Sequence, residues 1–289
     1  MSASPFELLG ASDAKSDRRV LAGSWVYPGS NEKRDDVFAA LAKRGVVLLG
    51  ETHDEAEHHR WQLHTIAALF GHRPDMVLGF EMFPRRVQPV VDRWSKGELD
   101  ETAFLREVNW PQIWGVADDL YLPLFHFARM HRLPVLALNV DRATSRRVAA
   151  EGFASVPRAE REGVGDPVPA SASYRDRLFE WFKQHPGAGH HARTTSEQFE
   201  RFVRAQLFWD RAMAEAIADA RRGWRRPLVV GVMGSGHVEY GDGVPHQLAA
   251  LGVNDVTTAL PWQADADYPI HDPPIADVLF GVTPPAAAN

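Results

Sequence analysis

The sequence contains no cysteine. Disulfides and thiolate metal sites are therefore excluded, and any metal must be held by histidine, carboxylate, tyrosine or backbone oxygen. Long apolar runs are missing as well. The longest, such as Gly45–Gly50, fall far short of the ~20 residues that a spanning helix needs. There is no basic excess: 32 lysines and arginines face 38 aspartates and glutamates, a net charge of −6. A nucleic-acid surface needs a basic footprint to displace counterions, so that class of partner is not expected. The opening stretch MSASPFELLGASDAKSDRR has no basic start followed by an apolar run, and it does not read as a signal peptide. Localisation stays open: cytoplasmic as the chain stands, periplasmic or surface-anchored if a leader was removed.

What is present is an ordinary globular composition, 45% apolar and 24% charged over 289 residues. Five short apolar runs have strand character: Val46–Leu49, Met76–Phe80, Val135–Val140, Leu228–Val232 and Val256–Leu260. They do not alternate apolar with polar, so they read as strands buried on both faces, the parallel-sheet pattern. Helical stretches near Asp54–Phe70, Arg85–Trp94 and Leu120–His131 supply crossovers. The expectation is an α/β fold with a largely parallel central sheet and flanking helices, in one domain over residues 1–289. No strand is expected between Val140 and Leu228. That stretch reads as a helical insertion over 141–226, with helices near Tyr174–His185 and Ser196–Arg222, capping the carboxyl edge of the sheet.

Open parallel sheets bind ligands at the carboxyl ends of their strands. Here the first run ends in Gly50-Glu51-Thr52-His53-Asp54, the second in Glu81-Met82-Phe83-Pro84, the third in Asn139-Val140-Asp141-Arg142 and the fourth in Gly234-Ser235-Gly236-His237. Four strands thus deliver titratable or amide side chains to one edge. Glu51, His53, Glu81 and His237 are the candidate catalytic set. On the helix after the first strand, His59 shares a face with Leu63, Ile66 and Phe70, while His58 lies one step around. The glycines at 231–236 depart from the G-x-G-x-x-G spacing and are not read as a dinucleotide fingerprint. The aromatics of the insertion, among them Trp181, Phe182, Phe202 and Trp209, pack a core or wall a slot for a flat apolar ligand. His185, His190 and His191 between its helices are ligands or a solvated turn.

These residues resemble a known family. Gly50-Glu51-Thr52-His53-Asp54 with His58-His59 and Gln62 resembles the opening motif of the ChaN-like haem-binding uptake family. Phe80-Glu81-Met82-Phe83 with Gln88-Pro89 is similar to its second motif. Ala205-Gln206-Leu207-Phe208-Trp209-Asp210 with Met213-Ala214 resembles a later helical motif, and Gly234-Ser235-Gly236-His237-Val238 the last. The resemblance implies a fold shared with Tiki and erythromycin-esterase-like proteins, a haem or iron-binding role in uptake, and a homodimer with haem between its subunits. It also implies that tyrosine holds the haem iron, with Tyr121, Tyr174 and Tyr240 as candidates and His58, His59 and Gln88 as further cofactor contacts. The lipidated cysteine of the family's lipoproteins has no counterpart here. The wider superfamily includes hydrolases, and their pattern falls on Glu51, His53, Glu81 and His237. The alternative function is therefore an esterase or peptidase. In that case His53 acts as general base beside Glu81, or His53, Glu81 and His237 bind a divalent cation.

Overall fold

The computed structural model describes residues 18–28, 36–184, 196–223 and 225–283; His185, His190 and His191 lie outside the described residues. Seven strands are described: β1 (Trp25–Val26), β2 (Val46–Glu51), β3 (Met76–Pro84), β4 (Val135–Asn139), β5 (Leu228–Gly234), β6 (Val256–Gln263) and β7 (Val278–Val282). They form one sheet in the order β1-β7-β6-β2-β5-β3-β4. All neighbouring pairs run parallel except β1 with β7, which is antiparallel. The helices are α1 (Val37–Ala42), α2 (Ala56–His72), α3 (Gln88–Ser95), α4 (Glu101–Val108), α5 (Trp110–Ile113), α6 (Leu122–Met130), α7 (Arg142–Glu151), α8 (Ala172–Gln184), α9 (Ser196–Ala220) and α10 (Val244–Ala250).

The strands are apolar throughout because both faces of the sheet are covered. Successive side chains point to opposite faces. Val47 and Leu49 of β2 join Leu78, Phe80, Val230 and Val232 in a core with α2, α3, α4 and α6. Val46 and Leu48 join Val229, Met233 and Leu138 in a second core beneath α9 and α10. The five expected strands and their parallel arrangement are as the apolar runs predict. The antiparallel edge was not expected. β1 is two residues long and exists only by pairing with β7, Trp25 facing Phe280.

The order of strands positions the site. β5 lies between β2 and β3, and the register sets Glu51 opposite Gly234 and Phe80 opposite Val232. The next residue of β3, Glu81, therefore also arrives beside the end of β5. The segment between β4 and β5 supplies α7, α8 and α9. The first was not expected: its sequence RATSRRVAAE is mostly polar, and only Ser145 and Val148 are buried. From α8 the indole of Trp181 lies directly on Gly236, where an added Cβ would come 1.2 Å from its Cη2. The insertion is thus seated on the carboxyl end of β5. Gly236→Ala should unseat this ring, lowering stability by about 1–3 kcal/mol, the usual cost of overpacking. Thermal unfolding together with tryptophan emission checks it.

Candidate functional site

Glu51, at the end of β2, is fully withdrawn from solvent and collects donors from three directions. The Tyr121 hydroxyl donates to its Oε1 at 2.5 Å, and the Gln62 amide to its Oε2 at 2.9 Å. His53 Nδ1 lies 2.9 Å from Oε1. A carboxylate accepts only, so this nitrogen carries the proton, and the imidazole, 39% exposed, lines the cavity. The indole of Trp114 stands edge-on to the imidazole at 4.7 Å. His59 holds the turn in place by donating from Nε2 to the His53 carbonyl at 3.0 Å. Desolvation lowers the His53 pKa, but the Glu51 hydrogen bond and the charges of Glu81 and Glu51 outweigh it, so the net direction is up.

A second carboxylate–imidazole set stands beside the first. Glu81 accepts the Gly234 N–H at 2.8 Å, and its other oxygen lies 3.5 Å from His237 Nε2. His237 Nδ1 is 2.6 Å from Asp210, which in turn accepts the Tyr174 hydroxyl at 2.9 Å. The imidazole is thus buried between two carboxylates. Burial alone would lower its pKa; Glu81 and Asp210 instead raise it to about 10. Glu81 moves the other way. Burial favours its neutral form, but His237 and His53 pull its pKa down to about 2. The two sets meet at Gly234, where an added Cβ would sit 3.0 Å from His53 Cε1 and 3.7 Å from Glu81 Oε2. A side chain at this position would press on the His53 ring.

Glu51, His53, Glu81 and His237 share one cavity of about 1000 Å³. Its walls include Trp114, Trp181, Phe202 and Trp209, and Arg86, Arg142 and Arg146 also line it. Residues 37–248 match the model of the haem-binding uptake family, Tiki superfamily, ChaN. The chain belongs to this family. In overall structure it is similar to the ChaN of Campylobacter jejuni, described for its cofacial haem binding. The TM-score is 0.69 at 18% identity, over 88% of this chain and 94% of that one. It also resembles the type III effector HopBA1, with a TM-score of 0.50 at 11% identity over 93% and 99% of the two chains. At such identities the likeness is one of fold. No curated protein matches the chain.

Within this ChaN-family chain, the six residues expected to contact a cofactor do not line the cavity. Tyr121 and Tyr174 are buried, and their hydroxyls donate to Glu51 and Asp210 from behind. Tyr240 packs against His271 and the Arg177 guanidinium. Gln88 clamps the edge of β4, donating to the Val135 carbonyl and accepting from the Ala137 N–H at 2.7 Å each. His59 is buried on the Tyr121 ring. His58 accepts the Thr52 N–H at 2.9 Å; burial and neighbouring His59 lower its pKa to about 4. The expected divalent-metal set of His53, Glu81 and His237 finds no support in the arrangement of the described residues. Among the described residues no three histidines or carboxylates are placed to hold a metal ion.

Asp210 was missed by sequence reasoning although a signal existed. Val203, Leu207, Asp210, Ala214 and Ile217 are the buried stripe of α9, spaced by four, three, four and three. An aspartate on such a stripe needs a buried partner. Removing His237 would leave two buried carboxylates uncompensated, so His237→Gln should cost about 3–5 kcal/mol. The pH dependence has a definite sign. The folded pKa of His237 lies above its ordinary 6.5, so its stabilisation is complete below pH 6.5 and lost as pH rises towards about 10. Denaturant unfolding should show this alkaline decline in the wild type and a flatter profile in His237→Gln.

Proposed function

We propose that the protein binds haem in the cavity at the carboxyl edge of the sheet, with the imidazole of His53 as the group presented to the iron. The observation that carries this reading is the combination of a part-exposed His53, held by Glu51 through Nδ1, with an aromatic-walled cavity in a chain of the haem-binding uptake family. The residues fit the group. Trp114, Trp181 and Trp209 offer flat apolar surface for a macrocycle. When bound, haem would supply an iron able to take a nitrogen donor, and His53 would be the residue to hold it. Glu51 holds the opposite nitrogen of the same ring, the arrangement that fixes a ligating histidine's tautomer and raises its basicity. Tyr121 and Gln62 fix Glu51 in turn. The tyrosines themselves do not supply the ligand in this reading, since Tyr121 and Tyr174 are committed to buried carboxylates.

One observation favours a second reading. Glu51–His53 is also the geometry of an oriented general base, with Glu81 next to it at the cavity floor. Esterase or peptidase chemistry would use His53 to take a proton from water, and neutral His53 would be the active form.

Titration with hemin should give a saturable Soret shift. The shift should be lost in His53→Ala, and binding should weaken about 10- to 100-fold in Glu51→Gln, the usual effect of removing the carboxylate behind a ligating imidazole. Full hemin binding by His53→Ala contradicts the assignment. For the second reading, turnover on an ester and peptide panel should vanish in His53→Ala and survive chelation.

A further inference from the structure

The chain is acidic overall, at −6, yet the cavity lining carries three arginines. Two of them stand out. Arg142 and Arg146 are four residues apart on α7 and so neighbour one another on one helix face. Both line the cavity and both are exposed to solvent. Like charges at this spacing cost helix stability by a few tenths of a kcal/mol. The neighbouring arginines are paired: Arg147 of α7 with Glu151 and Glu160, and Arg86, the third lining arginine, with Asp141 at 2.6 Å. Among the described residues, neither Arg142 nor Arg146 meets a carboxylate. Arg142 donates instead to the Trp114 carbonyl at 3.1 Å. That contact ties Arg142 to the wall, because the Trp114 ring is the one that stands against His53.

The cavity therefore carries opposite charges on two of its sides, with the indoles as its apolar wall. Its floor holds the carboxylates of Glu51 and Glu81, with Asp210 behind them, and repels anions. Its α7 side carries two guanidiniums without acidic partners. We infer that Arg142 and Arg146 form an acid-recognition subsite that selects and orients ligands with a flat apolar body and carboxylate substituents. The acidic end lies against α7 and the apolar body against the indoles. A guanidinium suits this task because its fork of N–H donors matches a carboxylate in two-point contact. The inference rests on the haem reading for the identity of the body and on the two arginines alone for the acidic end.

The test compares hemin with hemin dimethyl ester, followed by quenching of tryptophan fluorescence, in the wild type, in Arg146→Gln and in Arg142→Gln/Arg146→Gln. Both positions are exposed, and circular dichroism checks that α7 is retained. The wild type should prefer the free acid by about tenfold, the scale of two partly screened ion pairs. Arg146→Gln should lose part of this preference and the double variant all of it. Added salt should shrink it in the wild type. Equal affinity for acid and ester in the wild type, or a preference untouched in the double variant, overturns the inference. If neither porphyrin binds the wild type, the haem reading falls, and anilinonaphthalene sulfonate, a flat apolar anion, becomes the probe. Weaker sulfonate binding in the double variant than in the wild type then supports the subsite, and equal binding overturns it.

Discussion

A buried imidazolium depends on every group around it, and His237 is the one on which this structure is built. Moving a charge out of water is costly, and the loss is recovered only where opposite charges and hydrogen bonds surround it. Here Glu81 and Asp210 flank the ring. Each has a further donor of its own, the Gly234 N–H for Glu81 and the Tyr174 hydroxyl for Asp210. These groups come from β3, α9, β5 and α8. One electrostatic unit thus locks the helical insertion to the strands that it covers. The match of Glu51 with Gly234 across β2 and β5 brings the second unit, Glu51 with His53, to the same point.

The two imidazoles have opposite circumstances, and this divides their work. His237 is enclosed and engaged on both nitrogens. His53 is held on one nitrogen only, and its side chain remains 39% exposed. A ring fixed from behind and open in front can act on a ligand, whereas a ring enclosed on both sides can only hold its neighbours. Tyr121 and Tyr174 are equivalent in position, each donating to a carboxylate that in turn meets an imidazole. Burial and those carboxylates push both phenol pKa values upward, which keeps the hydroxyls protonated as donors.

Much of this was legible in the sequence. Strands covered on both faces leave unbroken apolar runs, so β2 to β6 show themselves, and a glutamate directly after such a run marks a strand end facing a crevice. Glu51, His53, Glu81 and His237 were found that way, and the structure brings them together. The rest was hidden for physical reasons. Asp210 takes its meaning from a partner 27 residues away in the chain. Arg142 and Arg146 look like ordinary surface charge until α7 is seen beside the cavity. Trp114 ends a helix of only 4 residues, too short for periodicity to show. For Tyr121 and Tyr174, sequence gives a hydroxyl but not its direction, here towards Glu51 and Asp210. Nor does sequence show that the Gln88 amide is engaged at the edge of β4.

The central claim is that His237 is a charged imidazolium held between Asp210 and Glu81 in the folded protein. Nitrogen-15 NMR of the histidine rings across pH tests it most directly, with the His237→Gln variant assigning one signal among the 13 histidines. The account predicts that both His237 nitrogens resonate as protonated at pH 7 and remain so until the approach to pH 10. A neutral His237 ring at pH 7, with one unprotonated nitrogen, would contradict it.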